Sequence, residues 1–323
     1  MKTAEILAEF PRYSALVVGD ICLDRWCTYD PATAEPSYET GIPRIGVVRT
    51  ETTPGAGGTV ACNLASLGVG RVAVLGVVGE DGFGYELRLA LESRGISTEL
   101  LVTSPELSTF TYTKLINKTS GVEDQPRVDF INTRPLPKSD ERQIVAHLPD
   151  NAGSFDVIFV SDQAETEHGG AVTPAVRDLL AEIATRKIVL ADSRRRVGEF
   201  RKVILKPNVQ EAACASTPLF GYVDYQRLRE HTGAPLLFVT RGPRGVSVIE
   251  PGRETDVSTR PIDQPVDICG AGDSFAAGAG MALAVTGSPF EAARLGNLVA
   301  SVTIMKKGTG TANPAEVLGA AGE

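Results

Sequence analysis

The chain has 323 residues, of which 42% are hydrophobic and 22% are charged, with a formal net charge of −8. These proportions are ordinary for a globular protein with a large core, and the negative charge argues against a nucleic-acid-binding surface. There is no run of 18 apolar residues and no signal peptide pattern at the N-terminus, so we expect a cytoplasmic protein that does not enter a membrane.

The cysteines and histidines exclude two classes of site. The five cysteines contain no C-x-x-C pair and are odd in number, which favours reduced, packed thiols over a disulfide framework or a metal site. The three histidines have no metalloprotease spacing. We therefore expect neither a zinc hydrolase nor a histidine-based triad.

Short apolar runs alternate with helical segments along the chain. Strands are predicted at residues 15–19, 71–79, 156–162, 187–192, 203–205 and 236–240, and helices at residues 82–95, 173–185 and 289–307. Near-continuous apolar strands in a βαβ order are typical of a parallel sheet that is covered by helices on both faces. The sequence thus predicts a single α/β domain over residues 1–323.

Acidic residues stand at or near the ends of several predicted strands. Asp20 follows the first strand, Asp24 comes four residues later, and Asp162 ends a later strand. Ligands of parallel α/β sheets bind beyond the carboxyl ends of the strands, so these carboxylates are placed to meet a substrate. For an isolated aspartate such as Asp20, capping of a turn is the simpler interpretation.

Two segments, residues 27–53 and 108–132, have the composition of short strands outside the alternating pattern. Lys114 and Arg127 lie on the second of them. One interpretation is that they are solvated charges that keep the edge of a sheet from pairing with another chain. The other is that they face inward and hold a phosphate group, which suits both side chains.

Residues 55–58, Gly-Ala-Gly-Gly, lead into an apparent helix. Without a Cβ atom, Gly57 and Gly58 would let the backbone approach a ligand closely. As an isolated feature, this cluster is more simply a loop.

Residues 266–280 read VDICGAGDSFAAGAG, an apolar approach and a glycine turn that enter a helix of small residues. Gly270 and Gly272 permit the tight turn, and the first helical turn presents unpaired N–H groups that favour an anion. Asp273 is then either a helix N-cap or a general base beside an anion hole that is formed by the amides of Ala271, Gly272 and Asp273. This stretch alone does not decide between the two.

Residues 267–273 resemble the D-T-x-G-A-G-D signature of the ribokinase-like (PfkB-type) sugar kinases, with Ile268 in place of the usual Thr or Val. Gly57, Gly58 and Asn63 are similar to the family's G-G-x-x-x-N-x-A motif, and residues 207–211 to its P-N-x-x-E motif. The resemblance implies a ribokinase-like fold with a small β lid over residues 27–53 and 108–132. It also implies ATP-dependent phosphorylation of a sugar hydroxyl, and a homodimer that forms through the lid.

The resemblance also implies a role for each matching position. Asp273 would be the general base, and its anion hole would be formed by Gly270, Ala271 and Gly272. Asn208 and Glu211 would organise Mg²⁺ through water molecules. Sugar contacts are implied for Asp20, Gly57, Gly58, Asn63 and Asp162, and less for Asp24. Nucleotide contacts are implied for Asn208, Glu211, Thr240, Gly242, Asn297 and Gly308. The family allows a monovalent cation in addition to ATP and Mg²⁺.

Within the family, the chain most resembles the heptose-7-phosphate kinases, in its V-V-G-D-x-x-L-D-R, T-K-L, R-V-D-F, S-D and L-x-x-P-N-x-x-E segments. This subgroup implies transfer to the anomeric hydroxyl, with Lys114 and Arg127 on the phosphate of the sugar. Residues 35–43 depart from the subgroup's lid sequence, which leaves the substrate open. Alternatives are a ribokinase-type or fructokinase-type enzyme for an unphosphorylated sugar, a nucleoside kinase, and a non-catalytic sugar-binding protein, against which the intact Asp273 argues. No Walker sequence is present, which excludes a P-loop kinase.

Overall fold

A computed structural model of the protein describes residues 1–166 and 170–323. The strands are β1 Ser14–Gly19, β2 Ile21–Tyr29, β3 Val47–Ala56, β4 Arg71–Leu75, β5 Val77–Gly79, β6 Ile96–Ser97, β7 Val102–Ser104, β8 Thr111–Asn117, β9 Val128–Phe130, β10 Val157–Asp162, β11 Ile188–Ser193, β12 Ile204–Leu205, β13 Leu237–Thr240, β14 Val246–Glu250 and β15 Arg253–Val257. The helices are α1 Thr3–Glu9, α2 Gly57–Ser66, α3 Gly82–Glu92, α4 Lys138–Ala152, α5 Pro174–Ile183, α6 Val209–Phe220, α7 Tyr225–Thr232, α8 Ala271–Thr286, α9 Pro289–Thr303 and α10 Pro314–Ala321.

The main sheet has nine strands in the order β15-β14-β13-β12-β11-β10-β1-β4-β6. In this order, the seven neighbouring strands from β13 to β6 pair in parallel. Strand β14 pairs antiparallel with β13 on one side and with β15 on the other. Alternate residues of β1 face different cores, because Ala15 and Val17 pack toward helices α1, α2, α8 and α9, whereas Leu16 and Val18 pack toward α4 and α5. The predicted fold class, a mostly parallel sheet covered on both faces, is confirmed.

A second sheet of four strands, in the order β3-β2-β8-β9, contains the segments that were predicted to form a lid. Strand β2 pairs with β3 antiparallel and with β8 parallel. The lid sheet begins earlier than predicted, at Ile21, and β3 continues to Ala56. Asp24 therefore belongs to a lid strand and not to the loop after the first core strand.

Several elements differ from those that the sequence predicts. The segment predicted as one strand at residues 71–79 is two strands in different sheets, with Gly76 between them. A Cβ atom at Gly76 would lie 2.3 Å from the carbonyl oxygen of Gly19, so the chain passes β1 too closely for a side chain there. Helix α4 was not predicted, and it contains Pro149.

No helix within residues 1–166 and 170–323 is long and apolar enough to cross a membrane.

Candidate active site

The first turn of helix α8 is the centre of the site. Gly270 is its N-cap, with a φ of 76°, a left-handed conformation that favours glycine. The Ala271 amide donates to the carbonyl oxygen of Ile268 at 3.2 Å, so it is already satisfied. In the described chain the amides of Gly272 and Asp273 have no such partner. The predicted anion hole is therefore reduced to these two donors.

Asp273 lies in this first turn but does not cap the helix. Burial, with the neighbouring Asp192 and Asp24 as smaller causes, raises its pKa to about 7, against lowering effects of Lys206 and Arg194. Because its pKa is close to neutrality, the carboxylate is suited to exchange a proton with a ligand. Because Gly270 and not Asp273 is the N-cap, the capping interpretation is wrong, and the general-base role stays a prediction.

Two cavities meet the N-terminus of α8 from different sides. A cavity of about 160 Å³ is lined by Gly270 and Asp273 together with lid residues, and we call it the acceptor cavity. A more apolar cavity of about 350 Å³ is lined by Ala271 and Gly272, and we call it the nucleotide cavity. The glycine turn and its aspartate thus separate two spaces in which two ligands could meet.

The lid supplies Asp24 to the acceptor cavity. Burial raises the pKa of Asp24 to about 6, while Lys114 and Arg127 act to lower it. On the neighbouring strand, a Cβ atom at Gly55 would lie 2.5 Å from Oδ1 of Asp24. The absence of a side chain at position 55 therefore makes room for this carboxylate.

Lys114 and Arg127 both line the acceptor cavity, as the phosphate-binding interpretation requires. Arg127 pairs with Asp129 at 2.7 Å and its guanidinium carbon lies 5.2 Å from the centroid of the Tyr112 ring. The Nζ atom of Lys114 lies 4.0 Å from Oε2 of Glu123. This distance is too long for a hydrogen bond, so the contact leaves the ammonium group able to bind a ligand. These two cations, from β8 and the loop before β9, face the same space as Asp24.

Asp20 does not line the acceptor cavity, in contrast to the prediction. Its side chain is 2% exposed and accepts hydrogen bonds from the amides of Gln163, Ala164 and Ala171, each at 2.8 Å. Burial, followed by the charge of Asp162, raises its pKa to about 6. Asp20 therefore anchors the loop after β10, and Asp24 takes the place in the cavity that was expected for Asp20.

Asp162 is likewise a structural anchor and not a group that faces a ligand. It is fully buried, and its carboxylate accepts hydrogen bonds from Arg196 and, at 2.6 Å, from Ser193. The three arginines at 194–196, a run typical of a solvated loop, therefore differ in where their side chains lie. Arg196 points into the protein, and Arg194 lines the acceptor cavity.

The glycine cluster serves close packing. Cβ atoms at Gly57 and Gly58 would lie 2.7 Å from Ile21 and 2.6 Å from Pro54, and neither glycine lines the cavity. Asn63 is fully buried, and its Nδ2 donates to the carbonyl oxygen of Thr59 at 3.0 Å. Ala56 and Thr59, beside these glycines, line the acceptor cavity, and the buried Oδ1 of Asn63 has no hydrogen-bond partner among the described residues. The sugar contacts of Gly57, Gly58 and Asn63 therefore stay predictions.

The nucleotide cavity brings together three of the predicted nucleotide contacts, Thr240, Gly242 and Asn297. Asn297 donates to the carbonyl oxygens of Val257 and Ser258 at 3.1 and 3.3 Å and so fixes the chain after β15 at the cavity wall. Phe275 and Ile304 add apolar surface that suits a flat base.

Gly308 lies elsewhere. A Cβ atom there would be 3.2 Å from the indole of Trp26, a lid residue that also lines the acceptor cavity. Gly308 does not line the nucleotide cavity, and its nucleotide contact stays a prediction.

Asn208 and Glu211 form a capping box at the start of α6. The Glu211 amide donates to Oδ1 of Asn208 at 2.9 Å, and the Asn208 amide donates to Oε2 of Glu211 at 2.8 Å. Burial, followed by the charge of Asp192, raises the pKa of Glu211. The described residues contain no cluster of three carboxylate, histidine or cysteine ligands. The oxygen donors present fit a Mg²⁺ ion that keeps most of its water ligands.

Lys206 was not identified by the sequence analysis. It is 3% exposed, and its Nζ lies 2.9 Å from Oδ2 of Asp192. Burial alone would lower its pKa, but the charges of Asp192, Glu211 and Asp273 outweigh it and raise the pKa. A lysine between a buried strand and the P-N-x-x-E motif is the signal that could have indicated it, since a charge there must find buried partners.

Comparisons with known proteins identify the family of the chain. Residues 15–316 match the family described as "pfkB family carbohydrate kinase". The chain is 32% identical over 321 residues to "Bifunctional protein HldE" of Geobacter sulfurreducens, an alignment that covers 96% of this chain and 63% of the relative. The chain thus spans less than two thirds of the length of that curated relative.

Two solved structures share the fold. The structure of Escherichia coli phosphofructokinase-2 in complex with potassium has a TM-score of 0.73 at 18% identity, with 96% of this chain and 98% of that chain covered. Arabidopsis thaliana ribokinase, complexed with ribose and ATP, has a TM-score of 0.70 at 19% identity, with 95% and 98% covered. With this fold, this site and a family match over nearly its whole length, the chain belongs to the pfkB family of carbohydrate kinases.

Proposed function

We propose that this protein transfers the γ-phosphoryl group of ATP to a hydroxyl group of a sugar phosphate, with heptose 7-phosphate as the best candidate and its anomeric hydroxyl as the acceptor. The observation that carries this proposal is the first turn of α8. There Asp273 lines the smaller acceptor cavity, while Ala271 and Gly272 line the larger and more apolar nucleotide cavity. Asp273, with the amides of Gly272 and Asp273 that have no partner in the described chain, therefore stands between a space for the acceptor and a space for the donor.

On the acceptor side, Asp273 would take the proton of the attacking hydroxyl. Its pKa of about 7 leaves a substantial part of the carboxylate ionised at neutral pH and still basic enough to accept a proton. The oxygen of the acceptor forms a bond to the γ-phosphorus, and the bond from that phosphorus to ADP breaks. The amides of Gly272 and Asp273 are placed to hold the charge of the transferred group.

On the donor side, the apolar wall with Phe275 and Ile304 would hold the adenine, and the strand end at Thr240 and Gly242 would border the phosphates. Asn208 and Glu211 would hold Mg²⁺ through water, and the ion would supply charge neutralisation on the nucleotide phosphates. We include a monovalent cation in the proposal as a further cofactor, as the family resemblance implies.

Lys114 and Arg127 support a phosphorylated acceptor. They line the cavity beside Asp24, and the Lys114 ammonium lies as far as 4.0 Å from the carboxylate of Glu123. Asp24 would accept hydrogen bonds from sugar hydroxyls, and the two cations would hold the phosphate at the other end of the molecule. The resemblance of the sequence to heptose-7-phosphate kinases points in the same direction.

A kinase for an unphosphorylated sugar is the second candidate, and one observation favours it. Arg127 is already paired with Asp129 at 2.7 Å, which partly neutralises the phosphate-binding end of the cavity. Such an enzyme would resemble a ribokinase or a fructokinase.

An assay of ATP consumption distinguishes the two candidates. The purified protein with Mg²⁺ is given heptose 7-phosphate, other sugar phosphates, and the matching unphosphorylated sugars. We expect turnover with a sugar phosphate and a kcat/KM at least about tenfold lower for its unphosphorylated counterpart. Turnover of unphosphorylated sugars alone would support the second candidate, and no turnover with any sugar would contradict both.

We also propose that the chain acts as one domain, in the cytoplasm, and as a homodimer that forms through the lid. Exposed apolar side chains on the lid support the dimer, among them Tyr38, Ile42, Val47 and Val48. Light scattering of the wild type and of a Val48→Lys variant would test this, since a lid-mediated dimer should dissociate in the variant.

A further inference from the structure

We propose that Arg194 is a catalytic residue that contacts the phosphoryl group during its transfer, and that it supplies from within the chain the positive charge that the reaction needs. This inference rests on the proposed function and adds to it a role for a residue outside the glycine turn and the lid. Arg194 lines the same cavity as Gly270 and Asp273.

The loop that carries Arg194 is held firmly at its base. Ser193 donates to Asp162 at 2.6 Å, and the amide of Arg194 donates to the carbonyl oxygen of Asp162 at 3.0 Å. Arg196, two residues later, is bound to the same buried carboxylate. The backbone around Arg194 is thus fixed on both sides, while the Arg194 side chain itself is about half exposed.

The cations around the site fall into two pairs. Lys114 and Arg127 are the cations that act to lower the pKa of Asp24, at the lid end of the acceptor cavity. Lys206 and Arg194 are the cations that act to lower the pKa of Asp273. Arg194 also lines the cavity that Gly270 and Asp273 line, so its side chain lies on the wall of the space in which the proposed base would act.

The chemistry of the step explains what such a cation would do. As the phosphoryl group moves, its negative charge spreads over its oxygens, and an arginine with planar, paired donors suits those oxygens. The guanidinium of Arg194 is paired with Glu165, another exposed side chain. A pair between two exposed groups costs little to break, so Arg194 can exchange Glu165 for the phosphoryl oxygens.

The neighbouring Arg195 offers a matched control. It carries the same charge one residue away, is exposed, and lines neither the acceptor cavity nor the nucleotide cavity. We would compare Arg194→Gln, Arg194→Lys and Arg195→Gln with the wild type, with thermal unfolding as the check that all four proteins are folded.

Two measurements test the role. With heptose 7-phosphate, or with the best acceptor of the sugar assay, Arg194→Gln should lower kcat about 100-fold and change the KM of the acceptor little, and Arg194→Lys should recover part of the loss. Calorimetry with ADP and aluminium fluoride, a mimic of the transferred group, should show an affinity about 100-fold lower for Arg194→Gln, with ADP binding alone unchanged.

The inference is overturned if Arg194→Gln behaves like Arg195→Gln in both measurements. It is also overturned if only the KM of the acceptor rises, since Arg194 would then bind the acceptor and not the transferred group. A wild type that turns over none of the sugars would instead contradict the proposed function, so the two failures are distinguishable.

Discussion

The Nζ atom of Lys206 lies 2.9 Å from a carboxylate oxygen of Asp192 and 3.3 Å from the position that a Cβ atom would take at Gly272. This buried ammonium group therefore reaches the glycine turn that separates the two cavities. It is one of the two cations that act to lower the pKa of Asp273.

Replacing Lys206 by Met should shift the pH dependence of the reaction. Without the ammonium group the pKa of Asp273 rises further above about 7, so the acidic limb of the kcat profile should move to higher pH. The variant should also lose about 3–5 kcal/mol of stability, because the charge of Asp192 stays buried without its partner. The double variant Lys206→Met/Asp192→Asn should recover most of that stability, and an unchanged acidic limb in Lys206→Met would contradict the proposed coupling.

Asp273→Asn should lower kcat by about 10³-fold while the affinity for the sugar, measured by calorimetry, stays within a few-fold of the wild type. Near-normal turnover would rule out the general-base role.

The same variant should be more stable than the wild type above pH 7. The pKa of Asp273 in the folded protein, about 7, lies above its ordinary value of 3.8, so ionisation opposes folding and the wild type loses stability as the pH rises between these values. Asparagine does not ionise. Thermal unfolding without ligands should therefore show a higher Tm for Asp273→Asn at pH 8 and no such advantage at pH 4.

Gly55→Ala should displace Asp24, because the new Cβ atom would lie 2.5 Å from its Oδ1. We expect a fall of about 10- to 100-fold in kcat/KM for the sugar, since small displacements of a binding group are costly. Gly319→Ala is the control, because a Cβ atom there meets nothing within 4 Å. If both variants were equally active, Asp24 would not be the acceptor-binding carboxylate.

Lys114→Ala should raise the KM for a phosphorylated sugar about 10- to 100-fold and change that of the unphosphorylated sugar little, as expected for loss of one charge-assisted hydrogen bond. Arg49→Ala removes a lid cation that pairs with Glu51 and does not line the acceptor cavity, so it controls for net charge. Equal effects of Lys114→Ala on both sugars would contradict phosphate binding.

The fold could be predicted because apolar strands and glycine turns leave local signals. The acids at the strand ends were harder to assign. Asp20 and Asp24 are four residues apart in similar contexts, and only the pairing of Ile21–Tyr29 with the lid strands directs Asp24 into the cavity. Asp20 and Asp162 instead find buried backbone amides and Arg196. Those partners lie more than 30 residues away along the chain, so no local pattern reveals them.

The positions of the cations Arg194 and Lys206 likewise could not be predicted from local sequence patterns. In the run of three arginines, no local signal distinguishes Arg194 in the cavity from the exposed Arg195 and from Arg196, which is bound to Asp162. That distinction depends on Asp162, which fixes the direction of the loop. The motifs therefore predict a centre for the site, whereas tertiary contacts determine which cations lie around it.

Trp26, which packs against Gly308 and lines the acceptor cavity, is the single tryptophan of the chain. Its indole emission therefore comes from one known position on the wall of the acceptor cavity, free of any background from other indoles. A fluorescence titration can measure how tightly each sugar binds before any nucleotide is added, which makes acceptor recognition separable from turnover.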